Sequence, residues 1–476
     1  MNLYYLFKET AARNPEKTAI IDQETPVSYR QLDSIISETA ADLKSFGLLP
    51  GQMIGLCFAN STAYIAITYA LWKLDAVVVP IDTDCSEAEI EDICRRMRLS
   101  GMIHHQGRGD NRNAVMSRKT GISFYFQSMY GPGLDYGIHM AFVRFTSGTT
   151  GERKGVVLSH ERIYERICAV NRAFQITAED CVLWNLPMSH HFVSTIVLYL
   201  TCGATIVLSG GIWSKSILET IRHHNVTLLY ASPFHYSLLS ADPSHNMMPA
   251  VRLAISTASS LPARIHENFY RRYQIAPSQA YGIIEIGVVC INTEKPAEKP
   301  GSVGPVLPDY QISIENPQAY PEADGMSCGE VFFRGPGFFD AYFYPWINDE
   351  DALSDGWFET GDIGALDAEG YLYLYGRKDH VINIAGMKVF PQEVEAVLNR
   401  NPDVEESCVY GQSHERLGQI VAARVVPCKA TVKNDAAGLR AFCREMLAPY
   451  KVPEQIEFVN HIEKTAATGK ILRPQK

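Results

Sequence analysis

The chain has no stretch of basic residues dense enough to form a nucleic-acid surface. Its 476 residues carry 43 Lys and Arg against 53 Asp and Glu, a net charge of −10, whereas phosphate backbones are bound through clustered cations. The densest basic stretch, Arg95-Arg96-Met97-Arg98, reads as one face of a helix. Paired cysteines are lacking too: the eleven are scattered, none in Cys-x-x-Cys and none at zinc-ligand spacing to a histidine. This excludes a disulfide framework and a zinc ribbon, and leaves small buried hydrophobes of a reducing compartment. The opening residues Met1 to Glu9 have no basic region followed by an apolar core, so no secretory signal is read there. The most membrane-like run, Phe192 to Leu208, is interrupted by Ser194, Thr195, Thr201 and Gly203. It reads as a buried helix followed by a strand rather than a span. With no internal repeat and no low-complexity tract, a cytoplasmic globular enzyme is expected.

The length calls for more than one folding unit, since single cores stop growing near about 250–300 residues. Leu3 to Ala12 and Tyr29 to Phe46 repeat apolar positions at helical spacing. Met53 to Ala59 reads as a strand, Ser61 to Leu74 as a helix and Ala76 to Ile81 as a buried strand. That is the rhythm of a sheet with helices on its faces. Residues 105–137 read mostly as loop with one strand near Ile122 to Phe126, and the alternation resumes from 140 to 290. Residues 300–375, dense in Gly, Pro, Tyr and Phe, suit short strands and turns. After Arg377-Lys378-Asp379 a compact αβ unit begins. The expected fold is α/β. A large N-terminal part of α/β subdomains with a β-rich subdomain spans 1–378, and a small mobile α+β domain spans 379–476.

The sharpest signal is Thr146-Ser147-Gly148-Thr149-Thr150-Gly151-Glu152-Arg153-Lys154-Gly155, between a strand at Ala141 to Arg144 and Val156-Val157-Leu158. Glycines let backbone N–H groups turn toward an anion, four hydroxyls add donors, and Lys154 supplies charge. The P-loop NTPase signature fails, because Arg153 stands where its second glycine is required. A flexible turn would explain the glycines but not the hydroxyls and lysine beside them.

This segment resembles the phosphate loop of the adenylate-forming superfamily, Thr-Ser-Gly-Thr-Thr-Gly-x-Pro-Lys-Gly, with Arg153 in place of Pro. That superfamily holds acyl-CoA synthetases, firefly luciferase and the adenylation domains of nonribosomal peptide synthetases. Further motifs follow in the family's order over nearly the whole chain. Tyr281-Gly282-Ile283-Ile284-Glu285 is similar to Tyr-Gly-x-Thr-Glu, which implies adenine contact by Tyr281, a place for Gly282 in the nucleotide site, and magnesium binding by Glu285. Read alone, Glu285 could be a plain strand-end carboxylate. Ile284 deletes the usual Thr hydroxyl. Thr360-Gly361-Asp362 and Gly376-Arg377-Lys378-Asp379 imply ribose contacts from Asp362 and Arg377 and a hinge at Asp379, although Gly-Asp alone is ordinary turn sequence. Thr468-Gly469-Lys470-Ile471 implies that Lys470 bridges the substrate carboxylate and the α-phosphate. A lysine so near the C-terminus would otherwise be simply solvated. Ile384-Ala385-Gly386-Met387-Lys388 resembles the face turned to the thiol, which marks Gly386 and Lys388.

The chemistry this implies is ATP-dependent formation of an acyl-AMP with release of pyrophosphate, then transfer to a phosphopantetheine thiol. ATP, Mg²⁺ and either coenzyme A or a phosphopantetheinyl carrier protein are the expected cofactors and partners. No membrane span and no nucleic acid are expected. Pro187-Met188-Ser189-His190-His191-Phe192 is similar to the family's Pro-x-x-His segment, with His190 on its histidine. His191, Phe192, Tyr230, Phe234, Ser256 and Ala258 are the expected acid pocket. The family's α-amino-acid-activating members carry an Asp here to pair with the substrate ammonium. None lies between Tyr230 and Leu239, only His235, so the resemblance implies an acid without an α-amine. Ile284, Asn383 and Lys388 lean toward an aryl or small unsaturated acid. Two other classes stay open at this point. One is a non-catalytic nucleotide binder, suggested by Ile284 and Asn383. The other is a luciferase-like oxygenase, which Asn383 in place of that group's Lys counts against.

Overall fold

The computed structural model describes residues 1–105, 114–117, 124–129, 136–145, 154–209, 211, 213–244, 246–323, 325–428, 435–464 and 471–474. Six parallel strands make the middle of an eight-stranded sheet. They run in the order Ser278–Ile283, Leu253–Ser256, Leu228–Ala231, Cys181–Trp184, Thr205–Leu208 and Thr18–Asp22. An antiparallel strand closes each edge, Gly287–Ile291 on one side and Thr25–Ser28 on the other. A nine-stranded mixed sheet packs opposite. Its parallel centre joins Met140–Phe145, Val77–Pro80, Met53–Cys57 and Gly101–His104.

Helices fill the space between these sheets. Thr62–Lys73 is apolar around most of its circumference, with nine buried residues from Tyr64 to Trp72, the pattern of a helix enclosed on all sides. It starts at Ser61, whose hydroxyl accepts from Tyr64 N, the cap the sequence offers one residue ahead of the apolar run. Tyr29–Ser45 is opened by a full capping box from Ser28 and Gln31. Phe7, Ile36, Tyr69, Trp72, Phe192, Trp184 and Phe333 belong to one continuous core spanning both sheets.

An antiparallel sheet of Gln311–Glu315, Gly329–Arg334, Phe358–Leu366 and Leu372–Arg377 follows. The final sheet begins at Ile382–Ile384 and has its own core with Val394, Val409, Val425 and Cys443. Between the two, Phe390 packs on Tyr375 and Tyr320. The one strand read in 105–137 is in fact a hairpin, Ala114–Ser117 against Phe124–Ser128. Its first strand is too short and too polar in its surroundings to show a two-residue alternation. None of the eleven cysteines is in a disulfide, and no helix among the described residues is long and apolar enough to cross a membrane.

His160 is buried against Trp72 and His139, and its Nδ1 accepts from Leu3 N at 3.3 Å. Burial, aided by His139, pushes the imidazole down to about 3, so the folded protein holds it neutral. The unfolded chain takes up that proton near about 6.5. Stability is therefore fully present above that pH and is lost as pH falls toward 3, at up to about 1.4 kcal/mol per pH unit for one group. Thermal unfolding between pH 7 and 5 should show the midpoint falling, and His160→Asn should make that slope shallower. An unchanged slope would show that His160 is not the group taking up the proton.

Candidate active site

Two paired strands form one wall. Met140–Phe145 pairs antiparallel with Gly155–Ser159. The residues expected to cradle phosphate, Thr146, Ser147, Gly148, Thr149, Thr150 and Gly151, lie outside the described residues. Lys154, just after them, places its Nζ 4.9 Å from the centroid of the Tyr342 ring. Tyr342 reaches this point because Ala341–Phe343 adds to the same sheet, with Tyr342 opposite Val156. The Tyr342 hydroxyl donates to Glu285 Oε1 at 3.4 Å. Burial raises the Glu285 carboxyl above its usual range, only partly offset by its own backbone N–H and by the charge of Arg377. Among the described residues no ammonium or guanidinium hydrogen-bonds this carboxylate. A desolvated carboxylate of that kind fits a hard cation that takes its other ligands from phosphate oxygens.

The second wall holds Tyr281, Asp362 and Arg377 in one hydrogen-bonded corner. Asp362 and Arg377 face each other across paired strands. Arg377 Nη1 donates to Thr360 O at 2.7 Å and Asp362 Oδ1 at 3.3 Å, and the Tyr281 hydroxyl donates to Asp362 Oδ2. Gly361 (φ +71°) makes this possible, since a Cβ there would stand 2.9 Å from the Arg377 guanidinium. Gly282 is equally constrained: a Cβ would meet Gly287 O at 2.2 Å across the hairpin.

His190 is clamped from both sides. Arg144, at the end of the strand before the phosphate loop, donates Nη1 to His190 O at 2.7 Å and Nη2 to His190 Nδ1. A guanidinium only donates, so Nδ1 is the acceptor and the ring proton sits on Nε2. That nitrogen meets Asp82 Oδ2 at 2.8 Å, and Ser189 donates to the other Asp82 oxygen. Burial would raise the Asp82 carboxyl, but His190, Ser189 and Arg144 outweigh it and hold it below the usual range. Burial brings Arg144 down to about 10 even with Asp82 beside it. Neither Arg144 nor Asp82 was expected from sequence. The available signal was a charged residue at the C-terminal end of an apolar strand in each case, Ala141-Phe142-Val143-Arg144 and Val77-Val78-Val79-Pro80-Ile81-Asp82.

The expected acid-pocket residues divide. Trp184 and Tyr230, neighbours in register on parallel strands, stack with centroids 5.7 Å apart and planes 9° apart. His191 sets its ring edgewise to Tyr230 at 5.8 Å. Ser256 ends the strand beside them, its Oγ buried with no hydrogen-bond partner among the described residues. Ala258 follows in the left-handed region (φ +73°), a strained setting for a residue with a Cβ. Phe192 departs from expectation, being wholly buried against Tyr64, Tyr69 and Trp72. It belongs to the core because the helical turn at Met188–His191 directs it inward. Phe234 departs the other way: it is 59% exposed at the first turn of Pro233–Ala241, on the outer face of that helix.

In the C-terminal unit, Ile382–Ile384 and Met387–Val389 form a hairpin closed by Ala385 (φ +48°) and Gly386 (φ +96°), the two-residue turn with both centres left-handed. Asn383 Oδ1 accepts from Gly386 N at 2.8 Å, so an asparagine here has a structural reason. Lys388 Nζ lies 4.1 Å from the Tyr320 ring centroid, and Asp379 is exposed in the turn Lys378–His380. Lys470 lies outside the described residues. The residues flanking its segment, Lys464 and Ile471, pair with each other, and Arg473 Nη2 donates to both carboxylate oxygens of buried Glu395 at 2.7 and 2.8 Å.

The AMP-binding enzyme model matches residues 7–343, and the model of the AMP-binding enzyme C-terminal domain matches residues 393–470. The chain belongs to the AMP-binding enzyme family. It is an ATP-dependent, AMP-forming acid–thiol ligase by class. It is similar to feruloyl-CoA synthase of Amycolatopsis sp, 27% identical over 97% of this chain and 96% of that protein. It is also similar to 2-succinylbenzoate–CoA ligase of Bacillus licheniformis, 28% identical over 98% of each chain. Its fold matches the crystal structure of ATP-bound MatB from Rhodopseudomonas palustris with a TM-score of 0.85, at 23% identity over 99% of this chain and 97% of that one.

The clamp on His190 gives a direct test. An amide at position 82 can present N–H to Nε2 and favour the other tautomer, which Arg144 opposes. Asp82→Asn should therefore lower pyrophosphate release by on the order of 10²-fold, the scale of a mispositioned active-site group. Its circular dichroism should match that of the unaltered protein. Full activity would show that the tautomer is immaterial.

Proposed function

We propose that the acid is aromatic, that it carries no α-amine, and that coenzyme A is the acyl acceptor. The observation behind the aromatic assignment is the stacked Trp184–Tyr230 pair with His191 against its edge. It lies at the C-terminal ends of parallel strands, where open α/β sheets bind ligands. Trp184 and Tyr230 are each only 1% exposed, so the pair backs the site as a flat aromatic wall behind half-buried His191, and such a backing suits a flat aryl acid. His235 supports the absence of an α-amine. Burial pushes it down to about 4, and its Nδ1 is 2.9 Å from Ser232 Oγ, so it offers no negative or shared charge to an ammonium.

In this reading a carboxylate oxygen of the acid attacks the α-phosphorus of ATP. The bond from that phosphorus to the bridging oxygen breaks, and pyrophosphate leaves with the electron pair. Lys470 would place its ammonium where the two anions meet, and Lys154 with the phosphate loop would steady the β- and γ-phosphates. Tyr281, Asp362 and Arg377 would hold the nucleoside, Asp362 accepting from the ribose hydroxyls. Glu285 would hold Mg²⁺, which when bound supplies charge neutralisation on the phosphates. In the second step a thiol sulfur attacks the acyl carbon, the bond to AMP breaks, and the thiol proton is released. The hinge at Asp379, with the division of the chain at 378/379, would let the C-terminal unit exchange Lys470 for the Gly386 and Lys388 face. Relatives with CoA-ligase names support coenzyme A as acceptor. A net charge of −10 without a basic cluster for nucleotide phosphates supports a phosphopantetheinyl carrier protein as the second reading.

Hydroxylamine-trapped pyrophosphate release should respond to cinnamate- and benzoate-type acids and stay at background with α-amino acids. Strong turnover of an ordinary α-amino acid, or of long-chain fatty acids alone, would overturn the substrate assignment. Lys470→Ala should lose adenylation by about 10²–10³-fold, the scale of one lost transition-state charge. It should still convert synthetic acyl-AMP to the thioester. Equal loss in both half-reactions would contradict the exchange of faces.

A further inference from the structure

We propose that Glu24, His223 and His224 form a binding site for a divalent transition-metal ion of the zinc type, away from the active site. Glu24 sits at the tip of the hairpin between Thr18–Asp22 and Thr25–Ser28. Gln23 (φ +47°) and Glu24 (φ +64°) make the two-residue turn, and Asp22 pairs with Thr25. Such a turn is stiff, so the carboxylate is presented from a fixed platform. The histidines end the helix Ser214–His223, where Asn225 (φ +50°) turns the chain away. One donor atom from each residue lies within 4.8 Å of the other two.

The separations suit an ion between the groups. His224 Nε2 is 3.2 Å and His223 Nε2 3.8 Å from Glu24 Oε2. Ligand atoms at about 2.0–2.2 Å from a tetrahedral zinc ion stand roughly 3.3–3.5 Å apart. The His224 side chain is only 11% exposed, and among the described residues its buried Nε2 makes no hydrogen bond, not even to the carboxylate 3.2 Å away. A close approach without hydrogen-bond geometry leaves that nitrogen's lone pair or proton unserved, and an ion would satisfy it. Two imidazoles and one carboxylate favour zinc, nickel or copper over magnesium or calcium, which take oxygen ligands. Water would complete the coordination. Bound, the ion would tie the edge hairpin of the eight-stranded sheet to a helix about 200 residues later, and stabilise the fold by mass action.

The test uses the full chain stripped of metal with a chelator. Zn²⁺ titrated by calorimetry should bind with one site per chain and raise the thermal midpoint, and Co²⁺ should give the visible band of a tetrahedral site. Glu24→Gln and His223→Ala alter exposed side chains, so folding should be kept, and each should weaken Zn²⁺ binding at least about tenfold. Adenylation with ATP and Mg²⁺ should be unchanged in both. Equal Zn²⁺ affinity in the unaltered protein and both variants, or no Zn²⁺ binding at all, would overturn the site. So would competition by equimolar Mg²⁺.

Discussion

A single buried guanidinium holds together the elements that present the site. Arg166, in the helix that follows the phosphate-loop hairpin, donates to Gly337 O at 2.9 and 2.6 Å, to Ile284 O at 3.0 Å and to Glu285 O at 3.3 Å. Burial brings its pKa down to about 10, yet the guanidinium is held there because it supplies the donors that the Gly337 and Ile284 carbonyls need. Gly337 (φ +68°) allows the approach, since a Cβ would lie 2.8 Å from Arg166 N. Glu165 accepts from Gly337 N at 2.8 Å, and Phe339 N donates to Glu285 O at 2.8 Å. The helix, the Tyr281–Glu285 hairpin and the strand bearing Tyr342 are thereby fixed relative to one another.

With that frame set, the electrostatics of the site follow. Arg144 and Lys154 approach from the two sides of one strand pair and Arg377 from another sheet, while no cation hydrogen-bonds the Glu285 carboxylate among the described residues. Positive groups converge where nucleotide phosphates are proposed to lie, and the raised Glu285 carboxylate stands among them. Asp82 has the opposite fate, since hydrogen bonds from His190 and Ser189 keep it charged. Two carboxylates in one site are thus set to different tasks by their neighbours.

The motif residues were legible because backbone chemistry forces them into short runs. Gly282 and Gly361 cannot bear a Cβ, and Asp362 and Arg377, fifteen positions apart, meet across a single hairpin. Asp82, Arg144, Arg166 and Tyr342 were not legible. Each is a lone polar or aromatic residue in or beside an apolar element, and its role depends on hydrogen-bond partners between 46 and 171 positions away, as with Arg144 and His190 or Arg166 and Gly337. Phe192 and Phe234 show the same limit from the other side. Both are aromatic residues in the right segments, yet one turn of helix sends the first into the core and the second to solvent.

The sequence by itself determined the family, the class of chemistry, the α/β architecture and the order of most strands and helices. These rest on local patterns: glycine runs, capping residues such as Ser28 and Ser61, and apolar periodicity. Only the tertiary structure decided which groups touch. It set the tautomer of His190 between Arg144 and Asp82, the structural use of Asn383, the stacking of Trp184 on Tyr230 and the meeting of Glu24 with His223 and His224. The physical reason is range. Backbone preference and capping act within a few residues, whereas burial and hydrogen bonding act between groups that the chain brings together only after the sheets have formed.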